Sequence, residues 1–243
     1  MNTPHTHWLV KLQAFWLLLA LAAVIGFRAS LLPWRPALLA TAAAAGGLAL
    51  TGFCSLALLF VLLRAGRRGG KQCLISVALS LPALIGVLLL GMQGAKAPPI
   101  HDISTDTVNP PAFSAAKALR KAGENSLEYA GTAIAERQQR AYPDIKPIET
   151  PMPPTEAFQA CRAAAMGLGW RVLAENSDQG VIEAVDHTLI FGFADDIVVR
   201  ITSTAGGSRI DLRSASRAGV SDLGVNAKRI RAFIQAFNHP SAQ

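Results

Sequence analysis

Acidic residues are missing from the first ninety-six positions: none of the 16 Asp and Glu residues precedes Lys96. The same stretch holds eight basic residues, Lys11, Arg28, Arg35, Arg64, Arg67, Arg68, Lys71 and Lys96. It therefore carries +8. The remaining 15 basic residues against 16 acidic ones leave the rest at −1, which together give the net +7. A pI near 9.8 ordinarily invites a nucleic-acid reading. Here the excess charge flanks apolar runs, where it orients helices and meets anionic headgroups. The lipid bilayer is the expected partner, and nucleic acid is not.

Cysteine is scarce too. Cys54 and Cys73 fall in or beside apolar runs, Cys161 stands alone in the second half, and no CxxC or Cys/His metal spacing occurs. A disulfide framework and a zinc site are excluded, and no cofactor is expected. Phe53 spoils a lipoprotein cleavage site before Cys54. Cys161 reads as a small buried hydrophobe. Catalytic motifs are lacking as well: Ser214, Ser216 and Ser221 have no G-x-S-x-G context,.

Long hydrophobic runs, by contrast, are present. Crossing about 30 Å of hydrocarbon takes about 20 apolar residues. Residues 8–27, 36–63 and 73–93 each meet that length, and the only charge inside them is Lys11, close enough to an end to snorkel,. Trp8, Trp16 and Trp34 suit interfacial positions. A cleaved signal peptide over residues 1–30 is the competing reading, disfavoured by a weakly basic start and no A-x-A site,. With no acid or His in the spans, a proton relay has no obvious parts. Gly46, Gly47 and Gly52 are expected to serve close helix packing.

Loop charge sets the expected orientation. Arg64, Arg67, Arg68 and Lys71 crowd the second loop, against Arg28 and Arg35 in the first. The positive-inside rule then places the second loop and the N-terminus in the cytoplasm. The third span delivers residues 98–243 to the far side, the periplasm if the membrane is a bacterial inner membrane.

Residues 98–153 read as a Pro-rich, mostly irregular lead-in with two short helices within 113–150,. Residues 154–238 read as α-β-β-β-β-α. Phe158, Cys161, Ala165 and Leu168 recur at helical spacing, with Thr155 as a cap. Strands are expected at 170–175, 181–187, 196–203 and 208–214. Leu223, Ala227, Ile230, Ile234 and Phe237 form a closing helical stripe, capped by Ser221 or Asp222, with Lys228, Arg229 and Arg231 on the wet side,. The expected fold is a three-helix transmembrane anchor plus an α+β soluble domain, a four-stranded antiparallel sheet with two helices on one face.

The stretches IHDISTD (100–106), NPPAF (109–113), FGFADDIVVR (191–200) and IDLRSASRAGVSDLGVNAKRIRAF (210–233) resemble the bacterial "domain of unknown function 1499" family. The resemblance covers nearly all of residues 98–238. It implies one coherent domain behind apolar helices, and no activity.

The candidate site comes from the hairpin. A Gly206-Gly207 turn would pair Ala205 with Ser208. Arg200 then faces Arg213, Thr202 faces Asp211, and Asp196 faces Arg217, all opposite the Ile197/Val199/Ile210/Leu212 face. Opposed like charges about 5 Å apart are destabilising, so an anion is expected near Arg200 and Arg213. It is either an internal carboxylate (Asp211, Glu183 or Asp186) or an external phosphate, headgroup or carboxylate. Asp196–Arg217 is expected to be structural. His101, Asp102 and Asp106 sit in the lead-in, where turn formation explains them as cheaply as metal binding or acid–base work. Asp186 and His187 point to opposite faces of a strand and cannot form one dyad.

Three functional readings follow. The first is a non-enzymatic module that binds an anionic ligand or an envelope protein, with Arg200, Arg213 and Arg217 as binders and Asp196, Asp211, His101 and Asp102 in support. The second is a hydrolase of envelope or lipid substrates using His101, Asp102 or Asp195. That reading requires His101 to fold back to within about 6 Å of the arginines beside a cleft. The third is a structural subunit of a membrane complex.

Overall fold

The computed structural model describes residues 6–239. The chain divides into two compact units, the first ending at Met92 and the second beginning at Gln93.

The first unit is built from α1 (His7–Arg28), α2 (Trp34–Arg64) and most of α3 (Gly70–Lys96). All three are long and apolar enough to cross a membrane. Their outer faces expose large apolar side chains such as Leu18, Leu39, Phe53 and Leu88, as helices bathed in hydrocarbon do. Small polar groups tie their inner faces together. The Gln13 amide is fully buried and donates to the Ser76 carbonyl at 2.9 Å. Ser55 Oγ lies 2.7 Å from both the Thr51 carbonyl and Ser76 Oγ. In an apolar medium such bonds hold helices that share no hydrophobic driving force. Gly47 and Gly52 serve close packing: a Cβ there would lie 2.2 Å from the Trp16 ring and from Ser80 Oγ, respectively. Gly46 has nothing within 4 Å and has no such role.

The second unit is an α+β arrangement around an antiparallel sheet. Its elements are β1 (Asp102–Ser104), α4 (Ala115–Leu119), α5 (Thr132–Ala141), β2 (Ile148–Thr150), α6 (Pro154–Gly167), β3 (Arg171–Asn176), β4 (Val181–His187), β5 (Ala194–Thr204), β6 (Gly207–Ser216) and α7 (Val225–Asn238). The sheet has six strands, not four. The order is β1-β6-β5-β4-β3, and β2 pairs with the same edge of β6 beyond β1. The two extra strands are three residues each and come from the stretch expected to be a mostly irregular lead-in. Three-residue strands carry too little alternation to stand out from Pro-rich sequence, and they gain order only from the β6 edge.

One face of the sheet is covered as the periodicity predicts. Ile182, Ala184, Ile197, Val199, Ile201, Ile210 and Leu212 pack against Phe158, Cys161 and Ala165 of α6 and Ala227, Ile230 and Phe233 of α7. Trp170 stacks on Phe233 with centroids 5.4 Å apart. Burial pushes the Cys161 thiol up to about 12, as expected for a thiol enclosed by apolar groups. The opposite face is not open. Phe113 and Ala116 form a second cluster there with Val198 and Ala215, with Leu127, Leu173 and Val181 packed around it.

The β5–β6 register also differs from expectation. The turn is Ala205-Gly206, so Thr204 pairs with Gly207 and Arg200 pairs with Asp211. The pairing is displaced by two positions relative to a Gly206-Gly207 turn, which keeps every side chain on its expected face. Gly207 is itself a strand residue. It has φ +138°, and a Cβ on it would sit 2.2 Å from the Thr150 carbonyl oxygen. The glycine meets two demands, a positive φ at the end of the hairpin turn and the close approach of the Thr150–Pro151 backbone.

Gly207→Ala is therefore expected to cost about 1–3 kcal/mol, read as faster amide hydrogen exchange across β2, β5 and β6 in the full chain. Gly206→Ala meets nothing within 4 Å and is expected to change exchange little.

Candidate functional site

The face opposite α6 and α7 carries most of the candidate residues, arranged in cross-strand rows. Val181, Arg200 and Asp211 form one row; Glu183, Val198, Arg213 and Ser104 the next; Val185, Asp196, Ala215 and Asp102 the third. Arg200 and Arg213 do not oppose each other, and each has its own carboxylate.

Arg213 is enclosed. Its side chain is 4% exposed and makes a two-point ion pair with Asp102, Nε to Oδ1 at 3.0 Å and Nη2 to Oδ2 at 2.7 Å. Nη1 donates to the carbonyl of Pro111, and Nη2 also to that of Leu127. The guanidinium lies 4.9 Å from the Phe113 ring centroid and 5.3 Å from that of Tyr129, a cation–π sandwich in a dry setting. Burial, together with the Asp102 charge, pushes the Tyr129 phenol up to about 12. Each of the three nitrogens of Arg213 thus donates to an acceptor within the chain.

Asp196 is fully buried between two guanidiniums. Arg120 Nε approaches at 2.7 Å, and Arg217 Nη2 at 2.7 Å. Arg120 also donates to the carbonyls of Ala215, Ser216 and Asn125. Burial lowers the Arg120 pKa against the raising effect of Asp196. Glu183 is equally sequestered and accepts the backbone N–H groups of Ser114, Ala115 and Ala116, capping α4 from the sheet,. The expected Asp196–Arg217 pair forms, and Glu183 serves α4, not an arginine.

The third group lies nearer solvent. Arg200 Nη2 reaches Asp211 at 2.8 Å and Asp106 at 3.2 Å, and Arg209 reaches the same two carboxylates at 3.1 and 3.4 Å. Arg200 and Arg209 side chains are 21% and 36% exposed. Partial burial pushes Asp106 up, but the N–H groups of Asn109 and Val108 and the charges of Arg209 and Arg200 outweigh it, leaving its carboxyl below the usual range. The sequence reading did not nominate Arg209; its position two residues from Asp211 on one strand face was the available signal.

The helix-side face holds a further polar hub. Asp186 and Asp195 oppose each other directly on β4 and β5. Arg229 of α7 bridges them, Nε to Asp186 at 2.8 Å and Nη2 to Asp195 at 2.7 Å. Its Nη1 donates to Asn226 Oδ1 at 2.6 Å and to Ser214 Oγ at 3.2 Å. Asn226 donates in turn to Ser216 Oγ and the His101 carbonyl. Arg229 was expected on the wet side of the helix and is 7% exposed. Its spacing of three from Asn226, at the edge of the buried stripe, was the signal. Asp222 accepts the N–H groups of Gly224 and Asn226 at the start of α7, and burial raises its pKa.

Asp102 bonds Arg213 on the face opposite α6 and α7, and the His101 carbonyl accepts from the Ser216 N–H and from Asn226 Nδ2. Ser214, Ser216 and Asp195 all bond within the hub around Arg229 and Asn226. Among the described residues, no group of three or more His, Cys, Asp or Glu could hold a metal.

Residues 102–237 match the family model described as "Protein of unknown function (DUF1499)". No curated protein and no solved structure matches the chain.

Removing one member of a buried ion pair strands the other. Asp102→Asn is expected to destabilise the second unit by about 3–5 kcal/mol, measured as hydrogen exchange of β1 and β6 amides. Combining Asp102→Leu with Arg213→Met is expected to recover much of the loss; equal damage by the double variant would refute the ion-pair account.

Proposed function

We propose that this chain, which belongs to the DUF1499 family, is a multi-pass membrane protein of bacteria. It presents a binding module, not a catalytic one, on the periplasmic side of the inner membrane. The observation that carries this reading is the mutual neutralisation of the charged side chains. Arg213, Arg217, Arg120 and Arg229 are each bonded to Asp carboxylates with little exposure. Groups held in this way keep a shape. They are poorly placed to exchange protons with a substrate.

The ligand-facing part is then the Arg200–Arg209 edge, the most exposed of these clusters. Two guanidiniums there share two carboxylates, so an incoming anion can compete for donors without opening the interior. An anionic group, whether a free phosphate or an acidic side chain of an envelope protein, matches that edge. Arg213 and Arg217 support it by holding β1, β6 and the 113–129 segment in place. The periplasmic placement rests on the basic second loop,.

Two measurements test this. Full-length protein in detergent is titrated with inorganic phosphate and with an Asp/Glu-rich peptide. Binding by the parent that is weakened severalfold in Arg200→Gln/Arg209→Gln is the expected outcome, and no binding by the parent overturns the anion version. Protease added to intact spheroplasts is expected to remove a C-terminal tag. Protection of the tag until lysis reverses the orientation.

A further inference from the structure

The β4–β5 loop, residues 188–193, is an uncharged apolar tip: Thr-Leu-Ile-Phe-Gly-Phe. Leu189 is 93% exposed and Ile190 69%. The tip is rigidly built. Thr188 N donates to the Phe193 carbonyl at 2.9 Å, Gly192 N to the Thr188 carbonyl at 2.8 Å, and Phe193 N to Thr188 Oγ1 at 2.9 Å. The Phe191 and Phe193 rings stack with centroids 5.1 Å apart. Much of its backbone polarity is thus met within the loop, which an apolar boundary demands of any segment entering it. A cluster of exposed apolar side chains of this kind marks a membrane or protein interaction site.

The register shows where this tip lies in the second unit. The Ser216 N–H donates to the His101 carbonyl, Arg217 N to the Ala194 carbonyl, and Asp222 N to the Ile100 carbonyl. The chain therefore enters the sheet at the same end as the 188–193 loop and the 217–221 segment, where Val220 is 78% exposed. Strands spaced about 4.8 Å apart put the entering chain roughly 10–15 Å from the loop. Only residues 97–101 separate the end of α3 from β1, a reach of at most about 20 Å.

We infer that the 188–193 loop, with Val220 beside it, is a lipid-contact surface that inserts its leucine and isoleucine into the headgroup boundary of the bilayer that α3 spans. The covalent tether selects lipid over a soluble partner: this end of the sheet cannot leave the bilayer surface by more than the short linker permits. Burial of a few apolar side chains at the interface then holds the domain down. The inference rests on α3 crossing the membrane. It does not depend on which side the domain occupies.

Nitroxide accessibility in liposomes of phosphatidylethanolamine and phosphatidylglycerol tests it. Full-length protein carrying Cys54→Ser is labelled at Leu189→Cys, Ile190→Cys, or Thr204→Cys at the far end of the sheet; Cys73 and Cys161 are buried and stay unlabelled. The exposed positions tolerate the label without disturbing the core. The expected result is an oxygen-to-nickel accessibility ratio severalfold higher at 189 and 190 than at 204. Equal, water-like ratios at all three overturn the inference. Shielding of 189 and 190 from both reagents also overturns it, in favour of a protein partner. A reversed orientation in the spheroplast assay leaves these ratios unchanged, so the two readings fail separately.

Discussion

The alignment of β5 with β6 is the constraint from which the second unit's polar architecture follows. The two-residue turn is Ala205-Gly206, and Gly207 directly after it lies where the backbone of β2 comes close. That alignment puts Arg200 opposite Asp211 and separates Arg200 from Arg213. Arg213 instead meets the carboxylate of Asp102 through the pairing of β1 with β6. A register displaced by two positions decides which charges meet.

The second theme is that like charges on neighbouring strands need an intruder of opposite sign. The expected case was an arginine pair needing an anion. The case that occurs is Asp186 opposite Asp195, with Arg229 of α7 between them. The same physical rule operates on a different pair,. Its consequence is mechanical. Arg229 pins α7 to the sheet through charge as well as through Ile230 and Phe233, and Asn226 extends the same bonding to β6 and the entry to β1. Asp102–Arg213 does the equivalent on the opposite face, fastening β1 and the 111–129 segment. Two buried guanidiniums, one per face, hold the layers around a single sheet.

Such pairs bring specificity at a cost in desolvation. The cost is offset because each guanidinium gathers four backbone or side-chain acceptors at once. The more exposed Arg200–Arg209 cluster is different in kind: it shares two carboxylates between two cations and remains open to solvent.

The sequence by itself determined the things that depend on period, length and local composition. Three apolar runs of spanning length, the α6 and α7 stripes, and the inward face of β5 and β6 were all legible, because each repeats a pattern over ten or more residues. The chemistry was not legible. The pairing of Asp102 with Arg213 joins residues 111 positions apart, through a three-residue strand that sequence treats as linker. The cover over the second sheet face comes from Phe113 and Ala116, in a segment with little periodicity. Which carboxylate neutralises which guanidinium depends on register and on side chains arriving from distant segments, and a displacement of two positions leaves every hydrophobic position unchanged. Only the tertiary structure decided that, because hydrophobic patterning fixes the face a residue occupies and says nothing about its neighbour across the strand.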